Sequence, residues 1–260
     1  MYRQHRRLLL SSPSNPLRVY TACCGVDLTL AGLRAEGLPY SIVGASEIDP
    51  DCRRIFAQCE PELPPSHFYF DAGSSAATQD SPDCDAFFLT SSCQPFSDAN
   101  QHVTTESANA ALRVLISHAS YLAHHSPRFV FIENVTGLQA SDRLDILTGF
   151  NTHLENVHGR WAWESGIFCP SAFGGPMTRP RIIWVGVLRA YVARPASCAP
   201  LPLLFLHLHY YSHTARRTGS LAHLPGHVPS VHSLAHYYPI MLQLINVYPP
   251  LPAPPALGLP

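Results

Sequence analysis

Ala86-Phe-Phe-Leu89 runs straight into Thr90-Ser-Ser-Cys93-Gln-Pro-Phe-Ser97, and the chain later returns with Phe129-Val-Phe-Ile132 leading into Glu133-Asn-Val135. Short, uninterrupted apolar runs of this kind suit strands buried on both faces. Between the two runs, Ala108, Ala111, Leu112, Leu115, Ile116, Ala119 and Leu122 recur at helical spacing and form one apolar stripe. Strand, helix, strand in that order is a crossover unit, which joins parallel strands. Working outward from it, further candidate strands are Arg18–Thr21, Ser41–Ala45, His67–Phe70, Ala162–Phe168 and Arg181–Val187, with the first two runs at Ala86–Leu89 and Arg128–Ile132. Alternation from Arg18 to about Leu188 predicts an α/β fold built on a doubly wound, mainly parallel sheet.

The 260 residues suffice for a sizeable core without disulfide or metal staples. Only 13% of them are charged, against about 25% in an average domain, so the surface is unusually uncharged. All 17 basic residues are Arg. The 18 acidic residues and 11 of the Arg lie in residues 1–164, while residues 165–260 carry 6 Arg and no acid. A carboxylate-free C-terminal part suits a polyanion such as nucleic acid, and a Pro-rich linker would look the same.

The eight Cys lack the CxxC pairs of a zinc site and the regular framework of a secreted scaffold. The seven His from His207 to His236 have no compact ligand pattern, so no metal is expected. An intracellular, reduced setting follows, nuclear in a eukaryote and cytoplasmic otherwise. The apolar run near the start is three Leu long, too short for a signal peptide, and no stretch approaches the ~18 apolar residues of a membrane helix, so no membrane association is expected. After Ala190 the periodicity disappears and Pro, His, Leu and Tyr dominate, which predicts a small irregular C-terminal region.

In an open α/β sheet, ligands sit beyond the carboxyl ends of the strands, so the loops there carry the chemistry. The first loop, Thr21-Ala-Cys23-Cys-Gly25, offers a glycine where backbone can approach a ligand. The second strand ends in Glu47-Ile-Asp49, an acid placed to bind ribose hydroxyls. Any dinucleotide or nucleoside binder, or none, could show that pair. Cys93 emerges from its strand into a polar turn, where a nucleophile would stand, and packing is the commoner role of a lone Cys. Glu133 brings a carboxylate from the neighbouring strand to the same rim, and a nucleophile beside a general acid makes a catalytic pair.

Ser92-Cys-Gln-Pro-Phe-Ser97 and Glu133-Asn-Val135, followed by Phe173-Gly-Gly-Pro-Met-Thr-Arg179-Pro-Arg181, match in order the central motifs of the cytosine-C5 DNA methyltransferase family. The chain resembles that family well over residues 17–190 and weakly over 240–255. Ser97-Asp-Ala-Asn and Glu106-Ser-Ala-Asn-Ala-Ala-Leu are similar to its divergent fungal branch.

The resemblance implies a sheet of the S-adenosylmethionine-dependent methyltransferase type, with S-adenosyl-L-methionine as cofactor near Cys23, Gly25, Glu47, Asp71 and Asn246, Asp71 contacting adenine. It implies that the Cys93 thiolate adds to C6 of cytosine, that protonated Glu133 acts at N3, and that Arg179 and Arg181 complete the catalytic set, Arg181 near O2. Gln94, Ser97, Asn134 and Val135 would line the substrate side. The target base must leave the stack. The implied partner is DNA, and a tRNA-acting branch with the same motifs leaves RNA open. By the same resemblance, residues 1–16 are an N-terminal extension, 17–190 the catalytic domain, 191–239 a reduced target-recognition region, and 240–260 a C-terminal motif with a Pro-rich tail.

Departures from the motifs support an alternative, a catalytically inactive interaction protein. Asp27-Leu28 stands where a Gly pair is expected, Ser91 and Ser92 replace two prolines, Met177 replaces Gln, and Ile245 replaces Gly. These predict weaker cofactor binding and a looser nucleophile loop. Arg216 and Arg217 could contact phosphate or form a solvated surface pair.

Overall fold

Seven strands form one sheet in the order β3-β2-β1-β4-β5-β7-β6 in the computed structural model. Residues 15–26, 28–35, 37–97, 104–140, 143–157, 159–169, 171 and 178–192 are described. The strands are β1 (Leu17–Ala22), β2 (Tyr40–Ser46), β3 (Phe68–Tyr69), β4 (Ala86–Leu89), β5 (Phe129–Val135), β6 (Trp161–Phe168) and β7 (Arg181–Leu188). β1 to β5 pair in parallel, whereas β7 inserts antiparallel between β5 and β6. The predicted α/β, mainly parallel sheet is therefore present. Its strand order reverses between β1 and β4, the switch point beyond which ligands bind in such sheets.

Helices α1 (Leu28–Ala35), α2 (Pro50–Cys59), α3 (Ser75–Thr78), α4 (Thr105–Ala119), α5 (Tyr121–His124), α6 (Leu144–Val157) and α7 (Arg189–Val192) accompany the sheet. Their ends are written in the sequence. Asp49 caps α2, accepting from the N–H groups of Asp51 and Cys52, with Pro50 in the first turn, where its missing N–H costs nothing. Thr104 and Ser107 form a reciprocal capping box at the start of α4, the helix predicted from the apolar stripe.

Alternation along the strands divides the core into two layers. Leu17, Val19, Phe88, Phe129, Ile183 and Val185 pack on one face with Leu30, Leu33 and Phe56 of α1 and α2. Tyr20, Phe87, Leu89, Ile132 and Trp184 pack on the other, with Ala111, Leu115, Leu122 and Phe150 of α4, α5 and α6. Tyr20 lies so close to β2 that a Cβ at Gly44 would stand 2.5 Å from its ring, which is why that position is glycine.

Of the expected strands only β4 keeps its bounds; the others differ by a residue or more at one or both ends, and two of these differences have a clear cause. β3 shrinks to Phe68–Tyr69 because Pro64 and Pro65 lead into a 3-10 turn over Pro65–His67. β5 runs on through Glu133-Asn-Val135, since β7 pairs alongside it to that end. Among the described residues, no helix is long and apolar enough to cross a membrane, and no group of three His, Cys, Asp or Glu could hold a metal ion. The tail regions expected at 191–239 and 240–260 fall almost wholly outside the described residues, as do residues 1–14.

Candidate active site

The carboxyl ends of β4 and β5 lie side by side, Leu89 pairing with Ile132. Glu133 follows Ile132 directly, and Cys93 follows Leu89 after a short turn, so both reach one rim. Cys93 is partly exposed and caps a 3-10 turn over Gln94–Phe96, its carbonyl accepting from the Phe96 N–H at 2.9 Å. Gln94 is exposed and Ser97 half-buried at the turn's end.

Alternation along β5 sends Glu133 and Asn134 to opposite faces. Glu133 points to the α1 and α2 side, where its Oε1 lies 2.6 Å from Arg181 Nε. That contact follows from register: Arg181 pairs with Val135, two residues along on the same face of the antiparallel pair. Burial raises the Glu133 carboxyl above the usual range, and the Arg181 and Arg179 cations pull it back only in part. Asn134, fully buried, points the other way, donating from Nδ2 to Ser91 Oγ at 3.2 Å. Its Oδ1 accepts from the Val135 N–H at 2.8 Å.

A second cluster surrounds the ends of β1, β2 and β3. Glu47 Oε2 accepts from the Gly25 N–H at 2.6 Å, and Oε1 accepts from the Asp49 N–H at 2.9 Å. Each oxygen keeps a lone pair for a hydroxyl. Gly25 has φ +56°, and a Cβ there would meet nothing within 4 Å, so the loop presents bare backbone to open space. Asp71 turns the chain after β3, its Oδ1 accepting from the Gly73 N–H at 2.9 Å. Ile48 and Phe70, beside the two acids, are 64% and 60% exposed and offer apolar surface at the same rim. Glu47, Gly25 and Asp71 with flanking apolar surface fit a ribonucleoside with its diol and purine.

Cys23 is committed to the fold itself. Its N–H donates to Ser46 Oγ at 3.3 Å, its carbonyl accepts from Thr90 Oγ1 at 2.8 Å, and its thiol meets His118 Nδ1 at 3.3 Å. Burial, with Glu47 and Asp71 nearby, pushes that thiol up to about 12. The same placement lowers His118, chiefly by burial.

Three contributions were absent from the sequence reading. Buried Arg143 donates from Nη1 to the carbonyl of Phe96 at 2.6 Å. Arg53 donates to the carbonyls of Glu47 at 3.1 Å and Tyr69 at 2.9 Å. His118 backs Cys23. An Arg bonded to backbone carbonyls leaves no motif, because its partners are main chain. Asn246, Asp27 and Met177 lie outside the described residues.

Among curated proteins, the chain is 29% identical over 171 residues to the orphan methyltransferase M.Rho11sI of Bacillus phage rho11s, covering 66% of this chain and 33% of that protein. Against the orphan methyltransferase M.SPRI of Bacillus phage SPR it is 28% identical over 171 residues, covering 66% and 38%. The chain thus spans little more than a third of the length of these relatives. Among solved structures, the S. pombe Dnmt2 methyltransferase superposes with TM-score 0.52 at 20% identity, covering 73% of this chain and 53% of that one. A putative DNA modification methyltransferase from an E. coli prophage gives TM-score 0.53 at 20% identity, covering 70% and 49%. These likenesses bear on the fold. Residues 17–218 match the model of the C-5 cytosine-specific DNA methylase family, the Cys93 and Glu133 motifs on adjacent strand ends lie within that match, and the chain belongs to that family.

Proposed function

We propose that the chain methylates C5 of cytosine in DNA through a covalent adduct between Cys93 Sγ and C6 of a base flipped out of the duplex. The observation that carries this reading is the convergence of Cys93 and Glu133 on one rim, with Arg181 held against Glu133. The family implies S-adenosyl-L-methionine as cofactor. When bound, it would supply an electrophilic methyl group from a sulfonium, whose sulfur keeps the bond pair and leaves as a neutral thioether. Gly25, Glu47 and Asp71 would hold its nucleoside, with Ile48 and Phe70 against the purine.

Cytosine C5 is a poor nucleophile until C6 is attacked. The Cys93 thiolate gives its electron pair to C6, and the C5=C6 pair moves to C5, which takes the methyl group. Glu133, whose burial favours the protonated form, donates at N3 when it holds that proton and offsets the developing negative charge. Arg181 adds electrostatic stabilisation near O2. The C5 proton then leaves to a base, the S–C6 bond breaks with its pair returning to sulfur, and the ring double bond re-forms. With fluorine at C5 no proton can leave, so the adduct persists.

Trapping on 5-fluorocytosine, in DNA and in RNA, tests the proposal in the presence of S-adenosyl-L-methionine. An adduct on DNA that Cys93→Ser abolishes is the expected result. An adduct on RNA alone would move the substrate to RNA. No adduct, with no cofactor binding at millimolar concentration by a folded protein, would favour the inactive interaction protein.

A further inference from the structure

Resting on the reading of Cys93 and Glu133 as the reacting pair, we propose that Arg143 is a positioning residue that fixes the Cys93 turn against the strand carrying Glu133. Arg143 stands just before α6 and is 6% exposed. Burying a guanidinium is unfavourable unless its N–H groups are well used. Here Nη1 donates to Phe96 O at 2.6 Å and, at the longer distance of 3.5 Å, to Gly137 O.

Those two carbonyls belong to the two catalytic loops. Phe96 closes the turn that Cys93 caps, and its own N–H donates to Cys93 O at 2.9 Å. Gly137 sits in the 3-10 turn Thr136–Gln139 that follows β5 directly. One buried cation therefore spans the main chain just after the nucleophile and the main chain just after the carboxylate.

A second tie flanks Cys93 on the other side. Ser91 is buried, and its hydroxyl accepts from Asn134, the residue next to Glu133 in β5. The sequence predicts a loose loop because Ser91 and Ser92 lack the fixed φ of proline. The structure instead holds residues 91 and 96 by hydrogen bonds, both to the Glu133 side. Misplacing a reacting atom by about 1 Å can cost about a hundredfold in rate, so such ties bear on turnover more than on binding.

The test measures covalent adduct formation by the full chain on 5-fluorocytosine DNA with S-adenosyl-L-methionine present. Wild type must trap and Cys93→Ser must not; a wild type that fails to trap refutes the reacting pair, and the positioning role falls with it. Given that adduct, Arg143→Lys should lower the maximal trapping rate about 10- to 100-fold, because the Lys ammonium ends one bond short of Nη1 and misses the place from which both carbonyls are met. Cofactor affinity and the half-saturating DNA concentration should stay within about threefold, a split that general loosening of the fold would not give. A maximal rate within threefold of wild type overturns the proposal. Should Arg143→Lys fail to fold, Ser91→Ala decides: the maximal rate should fall and Ser91→Thr should restore part of it, whereas an unchanged rate in Ser91→Ala refutes the clamp.

Discussion

Arg181 Nε stands 2.6 Å from Glu133 Oε1, so the proposed proton donor is salt-bridged to a cation that favours its ionised form. Burial still prevails and keeps the carboxyl above the ordinary range. The active form is protonated, so adduct formation should fall as pH rises through this group's pKa. Removing the cation removes a lowering influence. Arg181→Ala should therefore slow the reaction while moving its alkaline limb to higher pH. A pH-rate profile with that limb unmoved, or moved downward, would contradict the assignment.

Glu133→Gln keeps the shape but loses the acidic proton. Methyl transfer should drop by about 10²-fold or more, while DNA affinity stays near wild type, because the side chain acts on the base and little on the backbone. Paired turnover and binding measurements check this, and equal losses in both would count against it.

Arg53 ties β2 to β3 through the carbonyls of Glu47 and Tyr69, reaches Phe68 O at 3.4 Å, and lies 4.6 Å from the Phe68 ring centroid. β3 has only two residues of its own, so this side chain reinforces the Glu47 N–H bond to Tyr69 O at 3.1 Å in holding Glu47 and Asp71 at their spacing. Arg53→Gln should weaken S-adenosyl-L-methionine binding about tenfold, or ~1.4 kcal/mol. Calorimetric titration reads it directly; full affinity would show that the spacing does not depend on Arg53.

Cys23 holds φ +55° without being glycine. A left-handed conformation costs a side chain roughly 1–2 kcal/mol. Both Cys23→Gly and Cys23→Ala lose the thiol contact to His118, yet only the first relieves that strain. Cys23→Gly should be the more stable of the two by about 1 kcal/mol in urea denaturation, and the reverse order would rule out strain at this position.

The charge split suggests that residues 165–260 face nucleic acid. Arg216→Ala with Arg217→Ala should lower the slope of log K against log salt by about one to two if both touch phosphate. Electrophoretic or fluorescence titrations across a salt series give that slope. An unchanged slope would exclude both residues from backbone contact.

Most of the seven strands were legible as short apolar runs bounded by polar turns, β6 despite Glu164-Ser-Gly166 in its middle, and the helix of Thr105–Ala119 because its small and aliphatic residues repeat at helical spacing. The antiparallel setting of β7 was not, since a strand buried on both faces reads alike in either direction. Cys93, Glu133 and Arg181 were visible as motif residues, but the link between Glu133 and Arg181 depends on the Val135–Arg181 register, which only pairing fixes. Arg143 and Arg53 escaped notice for the reason given by their partners: a side chain bonded to main-chain carbonyls has no complementary residue type to find.

The insertion of β7 between β5 and β6 also orders the birth of the protein. Cys93, Glu133, Glu47 and Asp71 all precede residue 134, yet the edge of β5 away from β4 remains bare until Arg181–Leu188 has left the ribosome. β6 emerges earlier but is joined to β5 in the sheet through β7. A nascent or prematurely terminated chain ending before residue 181 therefore carries Cys93 and Glu133 without the cation, beside an unpaired strand open to foreign edges. The cation that meets Glu133 and the strand that covers the β5 edge come from the same eight residues.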